Sequence, residues 1–420
     1  MPLSLRGRDI AIAAVLTAVF VAFQLQASLN AGTLRFPATY DDIVYYVDAA
    51  RHVRTFWQGS IGAVLREYIA TPPHAPGSTL LAAIGFFLFD IKPWAADAAN
   101  ALPLFVFVLI LLRLYSDLPL GVALPAVIAS LGIPIFGLAI VAFRPDMWGA
   151  GITVVGTLLI ALRDPRDRRT AVAAGIALAA ALLMKPTLSP LVVILFGAAL
   201  TLRLAPHLAG RTALLRATSA CLIVGGLAIL IAGPHYVLDL KNLIVYYRDA
   251  IFGPGAAIWT PQISRTDKAL YYLTGPGGRP SLGRWVYISA LPLAVPIILS
   301  VRRHALAWQA WIVVILALIA YAVVTLPGNK SAFLGLMFPA YLAGAIVVSA
   351  AYGLRSLYVR KMTGAAHIAA ILLLCFAAYA YRTPWVLMQG PVYPPYIATS
   401  RLQGLASSPT PETQVRVACA

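Results

Sequence analysis

The sequence predicts an all-α, polytopic membrane protein with about eleven transmembrane helices, and three observations lead there. Sixty per cent of its 420 residues are hydrophobic and only 11% are charged. The mean hydropathy, +0.83, is higher than a water-soluble domain could carry on its surface. Apolar runs of about 20 residues, enough to cross a hydrocarbon core about 30 Å thick, recur along the chain.

The first run, 10–29, follows Arg6 and Arg8 in the layout of a signal peptide. The chain beyond it is membrane protein throughout, so it is an uncleaved first span. Residues 30–95 are assigned to one large external loop carrying amphipathic or interfacial helices. Within that loop Ser78 to Phe89 is apolar, but about a dozen residues are too few to cross. Spans follow at 97–114, 119–141, 146–162, 170–184, 187–204 and 217–233. A second long external loop, 234–283, precedes spans at 284–300, 306–325, 331–352 and 364–381. The chain thus divides into a transmembrane domain, 1–381, and an external Pro-rich tail, 382–420.

Basic residues set the orientation. The formal charge of +17 is concentrated in short clusters between apolar runs: Arg163 to Arg169, Arg203 to Arg216, Arg302-Arg303, and Arg355 to Lys361. With the N-terminus inside and 78–89 not crossing, all four fall inside, as the positive-inside bias requires. Counting 78–89 as a span would put every one of them outside. The same clustering argues against a nucleic-acid partner, since no polar domain offers a basic groove with stacking aromatics. Cys221, Cys375 and Cys419 are far apart and form neither a disulfide framework nor a thiolate metal site.

This threading sends the rare polar residues to the opposite face. Asp41-Asp42 comes first, adjacent carboxylates in a chain with only 15 acidic residues, followed by Tyr45, Tyr46, Asp48 and Arg51. Such a pair can cap a helix, but at a membrane surface it is costly and suggests chemistry. Pro72-Pro73-His74-Ala75-Pro76-Gly77 is a rigid turn, and its histidine is either a structural hydrogen-bonder or a contact to phosphate or sugar. Arg144-Pro145-Asp146 opens a helix running inward; Asp146 suits the helix dipole as a cap or serves as a second acidic site, and Arg144 offers a planar fork to phosphate. Lys185 before Pro186, and Lys330 in Pro327-Gly328-Asn329-Lys330-Ser331, interrupt apolar stretches. They either snorkel to the interface or hold an anionic headgroup.

Together these residues suit attack by an acceptor hydroxyl on the anomeric carbon of a sugar whose leaving group is a lipid-linked phosphate. A carboxylate takes the acceptor's proton. Cations steady the leaving phosphate. A second carboxylate balances the oxocarbenium character of the transition state.

In order and sidedness, these elements resemble those of the GT-C superfamily of membrane glycosyltransferases, most closely the branch of protein O-mannosyltransferases and bacterial aminoarabinose transferases that modify lipid A. Asp41-Asp42 with Tyr45 resembles that branch's Asp-Glu pair and following tyrosine, with aspartate in place of glutamate. Pro72 to Gly77 resembles its proline turn, Asp146 its second-loop acid, and Lys185-Pro186 and Lys330 to Pro339 its later lysine turns. The resemblance spans roughly residues 10–350. It implies a GT-C fold, a polyprenyl-phosphate sugar donor, inverting transfer, and Asp41 as the favoured base with Asp42 close behind. Tyr45, His74, Arg144, Lys185 and Lys330 become candidate substrate and phosphate contacts. A lone Asp146, rather than an acidic cluster, weakens the case for a catalytic divalent metal, and no other cofactor is implied. The absence of a large C-terminal soluble domain points to a small or lipidic acceptor or to the use of partner proteins. The acceptor expected is a lipid, a glycan or a protein, met in a bacterial inner membrane with the site facing the periplasm. The alternatives are a transporter or lipid-linked glycan flippase and a glycan ligase or polymerase. The first is disfavoured because no internal repeat is evident and the charges gather at one face. The second draws its support from the 234–283 loop.

Overall fold

The computed structural model describes residues 7–30, 34, 41–208, 210–254, 264–275, 278–304, 306–325 and 336–389. All regular structure among them is helical. Helix α1 (Gly7–Asn30) is the first apolar run, and the expected first external loop folds as α2 (Asp41–Gln58), α3 (Ile61–Ala70) and α4 (Pro76–Phe89). Ser60 starts α3 by accepting the N–H of Ala63 on its hydroxyl, and Pro76 starts α4 with its preset φ. At 14 residues α4 is about 21 Å long and does not cross.

A short α5 (Ala95–Ala99) leads into α6 (Ala101–Leu114). The predicted span 119–141 is two helices, α7 (Leu120–Leu131) and α8 (Pro134–Val141), bent by 58° where Pro134 lacks the N–H that would carry α7 onward. Then come α9 (Pro145–Leu162), α10 (Arg168–Met184), α11 (Ser189–Leu204) and α12 (Arg211–Phe252), followed by the short α13 (Arg265–Leu270) and α14 (Gly278–Leu282). The bundle closes with α15 (Leu291–Val301), α16 (Ala307–Thr325), α17 (Met337–Val359) and α18 (Thr363–Gln389).

Helix α17 is the central stave, 78% buried along its span, with α9 beside it at 67%; α1, α12 and α18 are peripheral at 22%. Thr157 and Tyr341 tie the two central helices by a buried hydroxyl pair at 2.6 Å.

Contacts at the helix ends define two poles. At the basic pole Arg355 pairs with Asp117 at 2.8 Å, Arg203 donates to the carbonyl of Arg163, and Trp308 donates to that of Leu202. At the opposite pole Ser78 donates to the Met184 carbonyl, Tyr247 to that of Pro186, and Tyr321 to that of Ala269. The four predicted basic clusters therefore share one end of the bundle.

The number of spans is within one of that expected, and two boundaries need correction. Among the described residues nine helices are long and apolar enough to cross, or ten if the bent pair counts as one, against the eleven expected. The difference is α10, whose 17 residues fall just short. Its start nonetheless lies by Arg163 at the basic pole and its last residue by Ser78 at the other. Residues 234–252 are not loop: α12 continues through Pro234 for 42 residues, about 63 Å. Helix α18 likewise runs past 381 to Gln389.

Gly85 lets α4 touch the start of α5. A Cβ there would collide with the carbonyl of Ala95, a backbone group that cannot swing aside. Gly85→Ala is expected to destabilise the protein by about 1–3 kcal/mol, read as a lowered unfolding midpoint in detergent.

Candidate active site

The site end has its own small core. Tyr45, Ala49 and Val53 of α2 pack with Ala75, Ala82 and Phe86 around α4, with Ala95 and Ala96 of α5, and with Phe143 ahead of α9. The neighbouring Tyr46 meets Phe86 and Phe143 edge-on, with centroids 5.5 and 5.4 Å away. Its hydroxyl donates to Asp97 Oδ2 at 2.5 Å and lies 3.0 Å from the Pro93 carbonyl. The second turn of α2 is thereby fixed against α5 and the turn leading into α9.

Asp41 and Asp42 are the first two residues of α2, one turn ahead of these tyrosines. Tyr45, a candidate substrate contact, is only 2% exposed, and its ring belongs to the small core. The same clamp brings the acid pair's helix to the second candidate element, because Phe143 immediately precedes Arg144.

Arg144 is the N-cap of α9 and makes no side-chain capping bond, and Asp146 lies in the first turn. The Asp146 carboxylate takes both contacts from Lys185 Nζ, at 2.8 Å each, and both side chains are largely buried. Lys185 sits between α10 and a short 3-10 turn at Pro186–Leu188, whose Pro186 carbonyl accepts from Tyr247. The two residues predicted separately as acid and phosphate contact are therefore one ion pair. Tyr271 and Tyr272 lie close by: burial raises both phenols above the usual range, with Arg144's charge opposing the rise at Tyr271 and Asp146's adding to it at Tyr272.

His74 meets Tyr246 of α12 ring to ring at a tilt of 54°, with centroids 5.5 Å apart. It borders a polar network that sequence reasoning did not assemble. Arg51 donates to Asp48 at 3.0 Å and pairs with Glu67 at 2.7 Å, and His52 Nδ1 lies 3.3 Å from Glu67. Tyr68 and His235 meet at 2.8 Å, and the buried Asp239 accepts from Asn242. One signal was available: Asp41, Tyr45, Asp48 and His52 recur at i, i+4, i+7 and i+11, which is one face of a helix.

Burial raises the Asp48 carboxyl above the usual carboxylate range, opposed by Arg51 and His52. For Glu67 burial acts in the same direction but is outweighed by hydrogen bonds from Thr55 and His52 and by the charges of His52 and Arg51, so its pKa is lowered from the ordinary 4.5. A lowered carboxylate contributes stability that is present above its unfolded value and lost as the pH falls through its folded value. Glu67→Gln is expected to cost about 1–3 kcal/mol at pH 7. The gap between wild-type and variant unfolding midpoints should close on acidification below 4.5.

Lys330 lies outside the described residues. Among the described residues, no three His, Cys, Asp or Glu side chains are grouped so as to hold a metal ion. The structure thus joins the helix that begins with Asp41-Asp42 to Arg144, Asp146 and Lys185, with His74 at the edge of the adjoining polar network.

No protein-family model and no curated protein sequence matches the chain. Among solved structures, ArnT from Cupriavidus metallidurans in the apo state aligns with a TM-score of 0.58 at 16% identity, covering 91% of this chain and 78% of that one. The same protein bound to undecaprenyl phosphate aligns with a TM-score of 0.53 at 16% identity, covering 89% and 76%. At that identity the agreement is one of architecture alone: this multi-pass membrane chain shares the overall fold of ArnT.

Proposed function

We propose that the protein is an inverting membrane glycosyltransferase that moves a sugar from a polyprenyl-phosphate donor to an acceptor hydroxyl at the external face. The observation that carries this reading is the placement of the acid pair. Asp41-Asp42 opens a helix clamped beside Arg144 and the Asp146–Lys185 pair, at the pole opposite the basic clusters, in a fold shared with a protein crystallised with undecaprenyl phosphate.

Asp41 removes the acceptor's hydroxyl proton as its oxygen bonds to the anomeric carbon. The bond from that carbon to the phosphate oxygen breaks, and the phosphate departs carrying the electron pair. Asp42 steadies the positive charge on the ring. Arg144 and Lys185, joined by Lys330, neutralise the leaving phosphate. A lipid phosphate arriving at Lys185 competes with Asp146 for the ammonium. By the positive-inside bias the basic pole is cytoplasmic, so the site opens to the periplasm of a bacterial inner membrane.

The test is mass spectrometry of envelope glycans and glycolipids from a deletion strain, with and without the wild-type gene. A product one sugar short in the deletion and restored by the gene supports the reading and identifies sugar and acceptor. An unchanged envelope, together with no transfer from polyprenyl-phosphate sugars by the purified protein, rejects it.

A further inference from the structure

Helix α3 is amphipathic in the opposite sense from a helix lying on an aqueous surface. Its apolar stripe, Ile61, Leu65 and Ile69, faces outward and is 56–63% exposed. Its polar side chains face the protein: Glu67 pairs with Arg51, and Tyr68 bonds to His235. In water the two faces would be exchanged.

The far half of α12 repeats the inversion. His235 and Asp239 are 3% and 2% exposed, whereas Val237, Leu240 and Ile244 are 53–75% exposed. Between Arg216 and Lys241 the only acidic or basic residues are those two buried ones. The outward face of α12 is therefore uncharged over the 24 residues 217–240, about 36 Å of helix and somewhat more than the hydrocarbon core requires. Counted from Arg216 at the basic pole, about 20 residues bring the far edge of that core to the level of His235. The Tyr68 hydroxyl, 2.8 Å from His235 Nδ1, ties α3 to the same depth.

We infer that α3 is immersed in the membrane: its Ile61–Leu65–Ile69 stripe and the outward face of α12 as far as Leu240 form one wall against the acyl chains of the leaflet at the site pole. Continuity carries the choice of lipid over a protein partner. The wall extends the exposed surface of α12 from Leu222, Ile229 and Leu230 with no charged side chain on it. The exposed Arg66 on α3 and Lys241 on α12 have stems long enough to carry their charges to the headgroups. The inference does not depend on the glycosyltransferase reading.

The test uses the full chain with Cys221, Cys375 and Cys419 replaced by alanine. Single cysteines at Ile61, Leu65 and Leu240 are nitroxide-labelled in phospholipid nanodiscs, with Leu222 as the mid-span reference and the exposed Arg169 at the basic pole as the aqueous one. Collisions with oxygen and with a water-soluble nickel chelate are read by power saturation. The expected result is loss of nickel collisions at all three positions, as at Leu222, with oxygen collisions retained. Nickel collisions at Ile61 and Leu65 matching those at Arg169 would overturn the inference. Exclusion of both reagents there would also overturn it, by showing a protein partner or a second copy. All three side chains point away from the packed interior, so labelling leaves the fold intact.

Discussion

Asp41→Asn should lower glycosyl transfer by about 10²–10⁴-fold with little change in donor KM, the loss expected when a general base is removed. Asparagine keeps the shape and hydrogen-bonding reach of aspartate but cannot accept the acceptor's proton. It is also well tolerated at a helix start, so α2 should keep its place and the unfolding midpoint should stay close to wild type. Asp42→Asn should show a smaller fall if Asp42 steadies charge and the larger one if it is the base. Steady-state transfer with a polyprenyl-phosphate sugar and a saturating acceptor separates the two. Full activity in both variants would remove the acid pair from the chemistry, and with it the strongest argument for this reaction.

The sequence made that pair conspicuous for a physical reason: a carboxylate at a membrane boundary costs free energy, so few are kept and each stands out. The spans were legible for a related reason, since about 20 residues facing lipid have to be apolar. What stayed hidden depends on how distant segments meet. Asp146 and Lys185 are 39 positions apart, and nothing local shows that α9 and α10 bring them to 2.8 Å. The span expected at 217–233 stops at Pro234, which lacks the N–H for a helical hydrogen bond, yet α12 continues through it, held by bonds from His235 to Tyr68 and from Tyr236 and Tyr247 to carbonyls at the end of α10 and the following turn. The continuation had left a trace, since His235, Asp239, Asn242 and Tyr246 recur at helical spacing. Without the helix those residues look like a polar loop, and the network joining α2, α3 and α12 disappears with it.

The Asp146–Lys185 pair yields the largest expected effect on stability and also separates two roles that the geometry superimposes. Lys185→Met leaves a mostly buried carboxylate without its cation and should cost about 3–5 kcal/mol. Adding Asp146→Leu removes the stranded charge. Buried pairs replaced by apolar side chains of similar size are often neutral in stability, so the double variant should recover most of the loss. Activity should not follow. If Lys185 neutralises the leaving phosphate, the methionine in its place supplies no charge, and transfer stays low in the double variant even though the protein is as stable as wild type. Unfolding midpoints in detergent and transfer rates on wild type, Lys185→Met, Asp146→Leu and the double variant complete the cycle. Recovery of both together would make the pair a strut between α9 and α10, and the phosphate would then have to be held by other cations at the site pole.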